Sequence, residues 1–374
     1  MPELVALDVP AGPAFVDALR RVWDAGDAAF PIDDRYPPPL RERVLNAMAP
    51  VAIIDVQGRR RRAGGRPVEP GDAVVVATSG ATGEPKGVVL AHDAIAASAR
   101  AVSRRLAVDA ERDVWLACLP LSHVGGLSVV TRSIVTGTRL VVHPRFDPEA
   151  VTASEATLVS LVPTALARID ARSFRVVLVG GAAPPAALPA NVVTTYGMTE
   201  TGSGVVYDGS PLDGVEIDID ARGNIRVRAP MLLRAYRDGT DPRDNDGWFA
   251  TGDLGEWRDG RLVIQGRAGD LIITGGENVW PEPVERVLMA LPSVGDVAVA
   301  GLPDREWGQT VTAFIVPRDP AAPPSLRDIR ATVKAELPAS HAPRRVVLKT
   351  SIPVTALGKI RRDVMDAEHA VTTQ

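Results

Sequence analysis

From residue 72 onward, short apolar runs alternate with helical repeats along the chain. Runs of strand length, such as DAVVVA and RVVLVGG, consist mainly of valine, leucine and alanine, and each ends at turn residues. Alanine-rich stretches such as DAIAASARAVSRRLA lie between them. Continuous apolar strands are typical of a parallel sheet that is covered on both faces. The alternation therefore predicts an α/β fold built from βαβ units.

The pattern changes after about residue 214. The segments EIDIDARGNIRVRAP and LGEWRDGRLVIQG alternate apolar and polar positions on both sides of the turns Ala221-Arg-Gly-Asn and Arg258-Asp-Gly. Such turns predict hairpins. We therefore expect a small antiparallel, barrel-like part to follow the parallel layers.

A third pattern begins beyond Gly266. Pro281 and Pro283 begin a predicted helix, two strands DVAVAGL and TVTAFIVP follow, and Ser325 is a candidate N-cap for a helix over SLRDIRATVKAEL. This predicts a large N-terminal domain over 1–266 and a small α+β domain over 267–374. The first of these helices has a helical apolar repeat of Val284, Val287, Leu288 and Leu291.

The first 70 residues give a weaker signal. One helical repeat is followed by a proline-rich stretch at Tyr36-Pro-Pro-Pro-Leu and an arginine run over 59–62. We expect this segment on the surface of the large domain. The helical repeat consists of Phe15, Leu19, Val22 and Trp23.

Composition narrows the classes of function. The chain has 374 residues, with 42 basic and 46 acidic side chains and a net charge of −4, so no basic excess is present to bind nucleic acid. The single cysteine, Cys118, makes neither an intramolecular disulfide nor a thiolate metal cage. The N-terminal sequence lacks the pattern of a secretory signal, and no apolar run reaches the ~18 residues of a membrane span. We expect a cytoplasmic enzyme with no membrane insertion.

The segment Ala77-Thr-Ser-Gly-Ala-Thr-Gly-Glu-Pro-Lys-Gly87 directly follows an apolar strand. Its hydroxyls, glycine N–H groups and single lysine together suit a polyphosphate. It is not a Walker loop, because Pro85 precedes the lysine and Gly87 follows it. A solvated turn is the alternative interpretation. The candidate ATP-binding residues of this loop are Thr78, Ser79, Gly80, Ala81, Thr82, Gly83 and Lys86.

Further motifs follow in a fixed order. They are LPLSHVGGL over 119–127, LVGGA over 178–182, TYGMTET over 195–201, GWFATGD over 247–253, Gly266-Arg267 with Gly275-Gly276, and PVTALGK over 353–359. Together with the phosphate loop, they resemble the adenylate-forming acyl-CoA ligase superfamily. The resemblance extends from about Asp72 to Arg362.

This resemblance implies an activity. Members activate a carboxylic acid with ATP and Mg²⁺ as an acyl-AMP, and then transfer the acyl group to coenzyme A as co-substrate. Glu200 matches the magnesium-binding glutamate, and Thr199 matches the threonine that hydrogen-bonds the α-phosphate. Lys359 matches the adenylation lysine, which bridges the acid carboxylate and the α-phosphate. Without the neighbouring motifs, the usual interpretation of a Thr-Glu pair is an exposed helix start, and that of a lysine near the C-terminus is a solvated surface residue.

The resemblance also implies binding roles. Tyr196, followed by Gly197 and Met198, is expected to stack on adenine. Asp253 is expected to accept hydrogen bonds from the ribose hydroxyls, although such a residue is otherwise common turn chemistry. Arg267 is expected to contact ribose or phosphate. Gly180, Gly181 and Ala182 are expected to line the other face of the adenine. The acid is expected to contact His123, Gly202 and Ser203.

His123 has an alternative interpretation as a buried core histidine. In family members the small domain rotates after the first step, and the matching hinge position is Gly269, with Asp270 as a second candidate. Gly275-Gly276 would allow close approach of the pantetheine arm or of the neighbouring backbone.

The substrate class is suggested by the outline of the chain. Compared with most superfamily members the sequence is short, mainly before the phosphate loop. With the run over 205–215, this outline resembles actinobacterial o-succinylbenzoate:CoA ligases of menaquinone biosynthesis. The alternatives are a ligase for another aryl or medium-chain acid and a carrier-protein-loading adenylation enzyme. A silent paralogue would lose Lys359 or Glu200, and both are present. The group that binds a distal carboxylate is not identified from sequence, and homodimers are common among relatives.

Overall fold

The computed structural model describes residues 1–79, 85–185, 187–354 and 360–365. Within these residues, no helix is both long enough and apolar enough to cross a membrane. The α-helices are α1 (Pro13–Asp24), α2 (Pro38–Met48), α3 (His92–Arg105), α4 (Val124–Thr136), α5 (Pro148–Thr152), α6 (Pro163–Leu166), α7 (Pro281–Met289) and α8 (Leu326–Glu336).

The strands are numbered in chain order. The first group is β1 (Leu4–Leu7), β2 (Ala28–Pro31), β3 (Ala52–Asp55), β4 (Gly58–Arg61), β5 (Asp72–Ser79), β6 (Pro85–Ala91), β7 (Val114–Ala117), β8 (Arg139–Val142), β9 (Leu158–Leu161), β10 (Val176–Val179), β11 (Val192–Met198), β12 (Ser203–Tyr207) and β13 (Ser210–Pro211). The second group is β14 (Glu216–Ile219), β15 (Asn224–Arg228), β16 (Ala235–Tyr236), β17 (Phe249–Arg258), β18 (Arg261–Arg267), β19 (Ile272–Thr274), β20 (Glu277–Val279), β21 (Val294–Asp304), β22 (Gly308–Pro317) and β23 (Arg345–Leu348).

Two seven-stranded sheets form the larger part of the fold. The first has the order β16-β6-β5-β2-β1-β3-β4, and its inner strands β5, β2, β1 and β3 are parallel. The second has the order β13-β12-β11-β10-β9-β7-β8 and is parallel from β11 to β8. Antiparallel strands lie at the edges, as in the pairs β5–β6 and β11–β12. The predicted α/β class with parallel layers is confirmed.

The N-terminal segment is part of the core, and its predicted surface location is wrong. Strand β1 lies inside the first sheet between β2 and β3, and each of its four residues is fully buried. The predicted helical repeat does lie in α1, where Phe15, Leu19 and Val22 are buried. The strands were missed because each apolar run is only four residues long and is separated from the next by proline-rich or charged sequence.

The chain forms two compact units. The first consists of Met1–Asp218, Arg226–Ala250 and Trp257–Leu262, and the second of Ile219–Ile225, Thr251–Glu256 and the chain from Val263 onward. A further four-stranded sheet has the order β14-β15-β17-β18. The domain boundary at residue 266 stays a prediction.

The second unit contains a sheet with the order β20-β19-β22-β21, in which β23 also pairs with β22. Helices α7 and α8 contribute Val284, Leu288, Ile329 and Val333 to its apolar core. Both helices were predicted, and the Ser325 cap is confirmed because its Oγ accepts a hydrogen bond from the Asp328 N–H at 3.2 Å. This unit is the expected small α+β domain in its element content.

Candidate active site

The predicted site residues of the first unit lie where parallel strands end. His123 follows β7, the loop 180–182 follows β10, and Thr199 and Glu200 follow β11. Open α/β sheets bind ligands beyond the carboxyl ends of their strands, because the loops there converge. The fold therefore brings these separate motifs to the edge of the sheet where a ligand is expected.

The phosphate loop joins two antiparallel strands. Thr78 on β5 pairs with Lys86 on β6, and the Thr78 hydroxyl donates a hydrogen bond to the Lys86 carbonyl oxygen at 3.4 Å. The predicted residues Gly80, Ala81, Thr82 and Gly83 lie outside the described residues, as does the side chain of Ser79. Lys86 thus projects from a strand that the sheet itself fixes.

Glu200 lies in a short 3₁₀ turn over Thr199–Thr201. The turn leaves β11 through a shift in register between Tyr196 and Gly197. A Cβ atom at Gly197 would lie 2.1 Å from the Ser203 carbonyl oxygen, so only glycine fits there. The Gly197 in the motif therefore has a packing role, which its predicted place beside the adenine did not reveal.

Tyr236 connects two of the predicted site residues. Its hydroxyl donates to Glu200 Oε1 at 3.1 Å, and Lys86 Nζ lies 5.1 Å from the centre of its ring. Burial raises the pKa of Tyr236, and the neighbouring Glu200 carboxylate raises it further. The phenol therefore stays protonated and acts as a donor to the carboxylate.

The predicted acid-binding residues face α4. Ser203 Oγ lies 3.3 Å from Ser128 Oγ, and Gly202 borders a small cavity beside it. The cavity has a volume of about 10 Å³ and is also lined by Ser98, Thr131 and Arg132. Its lining combines hydroxyl groups with one guanidinium, which is a suitable environment for an anionic oxygen.

Arg132 is the most unusual of these side chains. It is only 2% exposed, and its Nε and Nη1 atoms have no hydrogen-bond partner among the residues that the structure describes. Burial lowers the pKa of the guanidinium, yet arginine stays charged in proteins. The guanidinium lies over the ring of Trp115, with 4.7 Å between Cζ and the ring centre. A buried cation with free donors is costly unless an anion joins it.

His123 belongs to a hydrogen-bonded network. Its Nε2 lies 3.1 Å from Asp33 Oδ2 and 2.9 Å from Arg35 Nη2. The buried Asp33 also accepts from Ser122 Oγ at 3.0 Å and from Arg35 Nε at 2.8 Å. Burial opposes ionisation of Asp33, but the hydrogen bonds from Arg35 and His123 outweigh it and hold the pKa of the carboxyl well below its usual range. The histidine is therefore fixed by a carboxylate.

In the loop 180–182, which is predicted to border adenine, Gly180 is required for packing against the neighbouring strand. A Cβ atom at Gly180 would lie 2.3 Å from Thr195 Oγ1, so this glycine gives room to the neighbouring strand. Gly181 has φ +84°, which favours glycine, and its added Cβ would meet only Val162 at 3.7 Å.

Tyr196, the residue expected to stack on adenine, lies on β11, in register with Val206 of β12.

The second unit contains the predicted ribose pair. Asp253 is 6% exposed, and its Oδ1 accepts from Arg267 Nε at 2.9 Å. Arg267 Nη1 also donates to the Thr251 carbonyl oxygen at 2.9 Å. The ion pair fixes both side chains, so that a carboxylate and a guanidinium are presented together.

The two hinge candidates differ in their contacts. Gly269 has open space where a side chain would project, whereas Asp270 Oδ2 accepts from Arg362 Nη1 at 3.1 Å. Arg362 also donates to both Glu285 oxygens, at 2.6 and 2.8 Å. The remaining adenylation residue, Lys359, lies outside the described residues.

The neighbour expected at Gly275 is different in the structure. This glycine has φ +58°, and an added Cβ would lie 2.7 Å from the ring of Trp307. The space is therefore taken by a tryptophan side chain rather than by neighbouring backbone, and the approach of a pantetheine arm stays a prediction. Gly276, with nothing within 4 Å, is the one with open space.

The residues present fit Mg²⁺ bound through ATP. Among the described residues, no group of three or more histidine, cysteine or acidic side chains forms a metal cage. Mg²⁺ needs none here, because it commonly binds one or two carboxylates together with substrate phosphates and water. Glu200 supplies such a carboxylate beside the lysine of the phosphate loop.

Known proteins are similar to this chain in both sequence and fold. Residues 62–230 match the AMP-binding enzyme family, and residues 283–359 match the AMP-binding enzyme C-terminal domain. A probable 2-succinylbenzoate--CoA ligase of Mycobacterium tuberculosis is 37% identical, over 96% of each chain. The chain belongs to the AMP-binding enzymes.

Solved structures of AMP-binding enzymes agree with this assignment. The o-succinylbenzoate CoA synthetase of Bacillus subtilis, in complex with its acyl-adenylate intermediate, superposes with a TM-score of 0.83 at 27% identity and covers 98% of this chain and 89% of its own. The same enzyme in complex with ATP and magnesium ion gives a TM-score of 0.83 at 28% identity, over 97% of this chain and 89% of its own.

Sequence reasoning missed three residues of the site in this AMP-binding enzyme. Arg132 had a detectable signal, since it is the one charged residue of the apolar helix VGGLSVVTRSIVT. Asp33 and Tyr236 had none, because their partners lie 89 and 36 residues away in the sequence.

We predict that the free energy of unfolding of Asp33→Asn differs from wild type in a pH-dependent way. Because the pKa of Asp33 is lowered on folding, the carboxylate stabilises the protein above its ordinary value of 3.8, and this stabilisation is lost as pH falls. Denaturant unfolding of both proteins from pH 7 to pH 3 should give a difference that is fully present well above pH 3.8 and shrinks as pH falls below that value. A difference independent of pH would contradict the network described for Asp33.

Proposed function

We propose that this chain is an ATP-dependent ligase that converts o-succinylbenzoate, ATP and coenzyme A to o-succinylbenzoyl-CoA, AMP and pyrophosphate, in menaquinone biosynthesis. Membership of the AMP-binding enzymes and the names of the relatives support the reaction type. ATP and coenzyme A are metabolites of the cytoplasm, where we place the reaction. A homodimer, common in the family, stays a prediction.

One observation favours a dicarboxylic substrate over a monocarboxylic acid. Two nitrogen atoms of the buried Arg132, Nε and Nη1, have no partner among the described residues, and Arg132 borders the cavity beside Gly202. A substrate that reacts at one carboxylate needs no second cation, whereas o-succinylbenzoate brings a second carboxylate that must be paired when it is buried. We assign Arg132 to that distal carboxylate, with Ser128 and Thr131 as hydroxyl donors nearby.

In the first step, an oxygen of the acid carboxylate attacks the α-phosphorus of ATP, and pyrophosphate leaves with the electrons of the broken P–O bond. Both reactants are anions, so the residues must hold them together against repulsion. Lys359 bridges the carboxylate and the α-phosphate, and Thr199 hydrogen-bonds the same phosphate. Mg²⁺ at Glu200, when bound, offsets charge on the phosphate oxygens. Tyr196 and Asp253 bind adenine and ribose.

In the second step, the thiolate of coenzyme A attacks the acyl carbon, and AMP leaves as the carbon–oxygen bond breaks. A phosphate ester is a far better leaving group than the oxide of a free carboxylate, which is why the adenylate is made first. Rotation about Gly269 would remove Lys359 from the site and admit the thiol, since a glycine without neighbours rotates easily. His123, fixed by Asp33, would keep the acyl group in place.

We expect o-succinylbenzoate to be the best substrate in a panel of carboxylic acids that also contains benzoate and medium-chain fatty acids. The measurement is CoA-dependent pyrophosphate release with ATP and Mg²⁺. Activity with fatty acids alone would reject the proposed substrate. Release that needs a carrier protein in place of coenzyme A would indicate the adenylation-domain alternative.

We expect Arg132→Met to raise the KM for o-succinylbenzoate about tenfold to a hundredfold, since a hydrogen bond to a charged group contributes about 1.5–3 kcal/mol. Any activity on benzoate should change little, because benzoate has no distal carboxylate. Arg132→Lys should restore part of the loss.

Thermal unfolding supplies the control for Arg132→Met. Replacement of an uncompensated buried cation by an apolar side chain should not lower the melting temperature. An equal loss of activity on both acids, or a lower melting temperature in Arg132→Met, would indicate a packing role for Arg132 instead.

We expect Lys359→Ala to abolish acyl-adenylate formation while it largely spares thioester formation from a pre-made adenylate. The lysine is needed only while the two anions meet. The two half-reactions are measured separately, by pyrophosphate release and by conversion of synthetic acyl-AMP with coenzyme A. Pyrophosphate release at the wild-type rate would contradict the assignment of Lys359.

A further inference from the structure

The segment 233–237 lies between the turn Thr199–Thr201, which contains Glu200, and strand β6, which contains Lys86. At its beginning, the Leu233 N–H donates to the Glu200 carbonyl oxygen at 2.7 Å. Further along, the Arg237 N–H donates to the Gly87 carbonyl oxygen at 2.7 Å. These backbone bonds fix the segment relative to Glu200, the predicted metal ligand, and to the strand of Lys86, the predicted phosphate ligand.

Pairing in the sheet sets the position of Tyr236 within this segment. Strand β16 is antiparallel to β6, and Tyr236 is in register with Val88, two residues beyond Lys86. Residues two apart on a strand have side chains on the same face. The register therefore places the tyrosine ring beside the lysine, in agreement with the 5.1 Å between Nζ and the ring centre.

The hydroxyl and the ring of Tyr236 have different partners. The hydroxyl donates to one oxygen of Glu200, at 3.1 Å. This restricts rotation of the carboxylate and leaves the second oxygen for a metal. The ring accepts the Lys86 ammonium through its π face, which holds the lysine without neutralising its charge. One side chain thus orders a carboxylate and a cation that would otherwise be free to pair with each other.

The side chain between Lys86 and Glu200 needs to be neutral. Among the described residues no close ion pair joins Lys86 to an acidic side chain; the charge of Lys86 acts on Asp238 only from a distance, where it adds to the Thr240 hydrogen bonds that lower the pKa of that carboxyl. A direct Lys86–Glu200 pair would cancel the charges that are to bind phosphate and metal. Tyr236 keeps them apart and ordered, because a phenol can donate to an anion and attract a cation at once.

We propose that Tyr236 is a positioning residue for the phosphate end of the site: its hydroxyl orients Glu200 for Mg²⁺, and its ring orients Lys86 for the phosphates of ATP. This inference rests on the proposed function, since it takes Glu200 as the metal ligand and Lys86 as a phosphate ligand. Tyr236 itself touches neither the acid nor the reacting atoms in this role.

Two substitutions separate the two contacts. Tyr236→Phe removes only the hydroxyl, and Tyr236→Leu removes the hydroxyl and the ring. Mn²⁺ serves as the probe in place of Mg²⁺, and its binding to the full-length protein with ATP is titrated by electron paramagnetic resonance. ATP binding in EDTA, without metal, is measured by calorimetry. The matched control is Tyr207→Phe, which removes the hydroxyl of a buried tyrosine on β12.

Tyr236→Phe should weaken Mn²⁺ binding in the presence of ATP by about tenfold, the effect of one lost hydrogen bond to a charged group. Its affinity for ATP in EDTA should equal that of wild type. Tyr236→Leu should weaken Mn²⁺ binding equally and should also weaken ATP binding in EDTA by several-fold. The KM for the acid should be unchanged in both variants, and Tyr207→Phe should bind Mn²⁺ as wild type does.

The outcomes distinguish the inference from the proposed function. Wild-type Mn²⁺ affinity in Tyr236→Phe overturns the inference alone, provided that wild type binds Mn²⁺ with ATP and releases pyrophosphate. Equal losses in Tyr236→Phe and in the Tyr207→Phe control would indicate general packing and also overturn it. If wild type shows neither Mn²⁺ binding with ATP nor pyrophosphate release with any acid, both the function and the inference are wrong.

Discussion

A site that brings two anions together needs positive charge that no acidic side chain neutralises. Two cations of the candidate site, Lys86 and Arg132, are held by aromatic rings. Elsewhere in the chain, arginines pair with acidic side chains, as Arg234 does with Asp72 and Arg175 with Asp113. Lys86 and Arg132 instead lie over the rings of Tyr236 and Trp115. An aromatic face attracts a cation but supplies no net negative charge. Both groups thus stay charged without a close anionic partner, as their proposed roles toward phosphate and carboxylate require.

The two parallel sheets make this arrangement possible. Asp33 follows β2 in the first sheet, and Ser122 and His123 follow β7 in the second. The hydrogen bonds from both to the buried Asp33 join the carboxyl ends of the two sheets at the predicted acid pocket. The N-terminal segment therefore contributes to the site as well as to the core.

Local patterns in the sequence were sufficient for part of the elements. Helix α3 follows from an alanine-rich stretch, α7 from apolar spacing after two prolines, and α8 from a serine at its start, while strands β7, β8 and β10 follow from continuous apolar runs. The strands of residues 1–70 were missed because proline-rich and charged sequence separates their short apolar runs, so that no regular alternation with helices stands out. Only the pairing with distant strands makes these runs recognisable.

The motifs located the site but not its supporting contacts. Family resemblance gave Glu200, Lys86 and His123, whereas Tyr236 and Asp33 became visible only through contacts between distant segments. Gly180 and Gly197 were predicted beside adenine, and the structure adds that neighbouring strands leave no room for a side chain there. A motif residue can therefore be required for packing as well as for binding.

The unpartnered guanidinium of Arg132 also has a consequence for the amount of enzyme in a cell. If Arg132 binds the dianion as proposed, folding without it leaves two nitrogen atoms that are buried and unpaired among the described residues, so the ligand-free protein gives up part of its stability. A ligand that binds only the native state shifts the folding equilibrium by mass action. Supply of the acid would then protect the enzyme from proteolytic turnover, and starvation for the acid would lower its steady-state abundance.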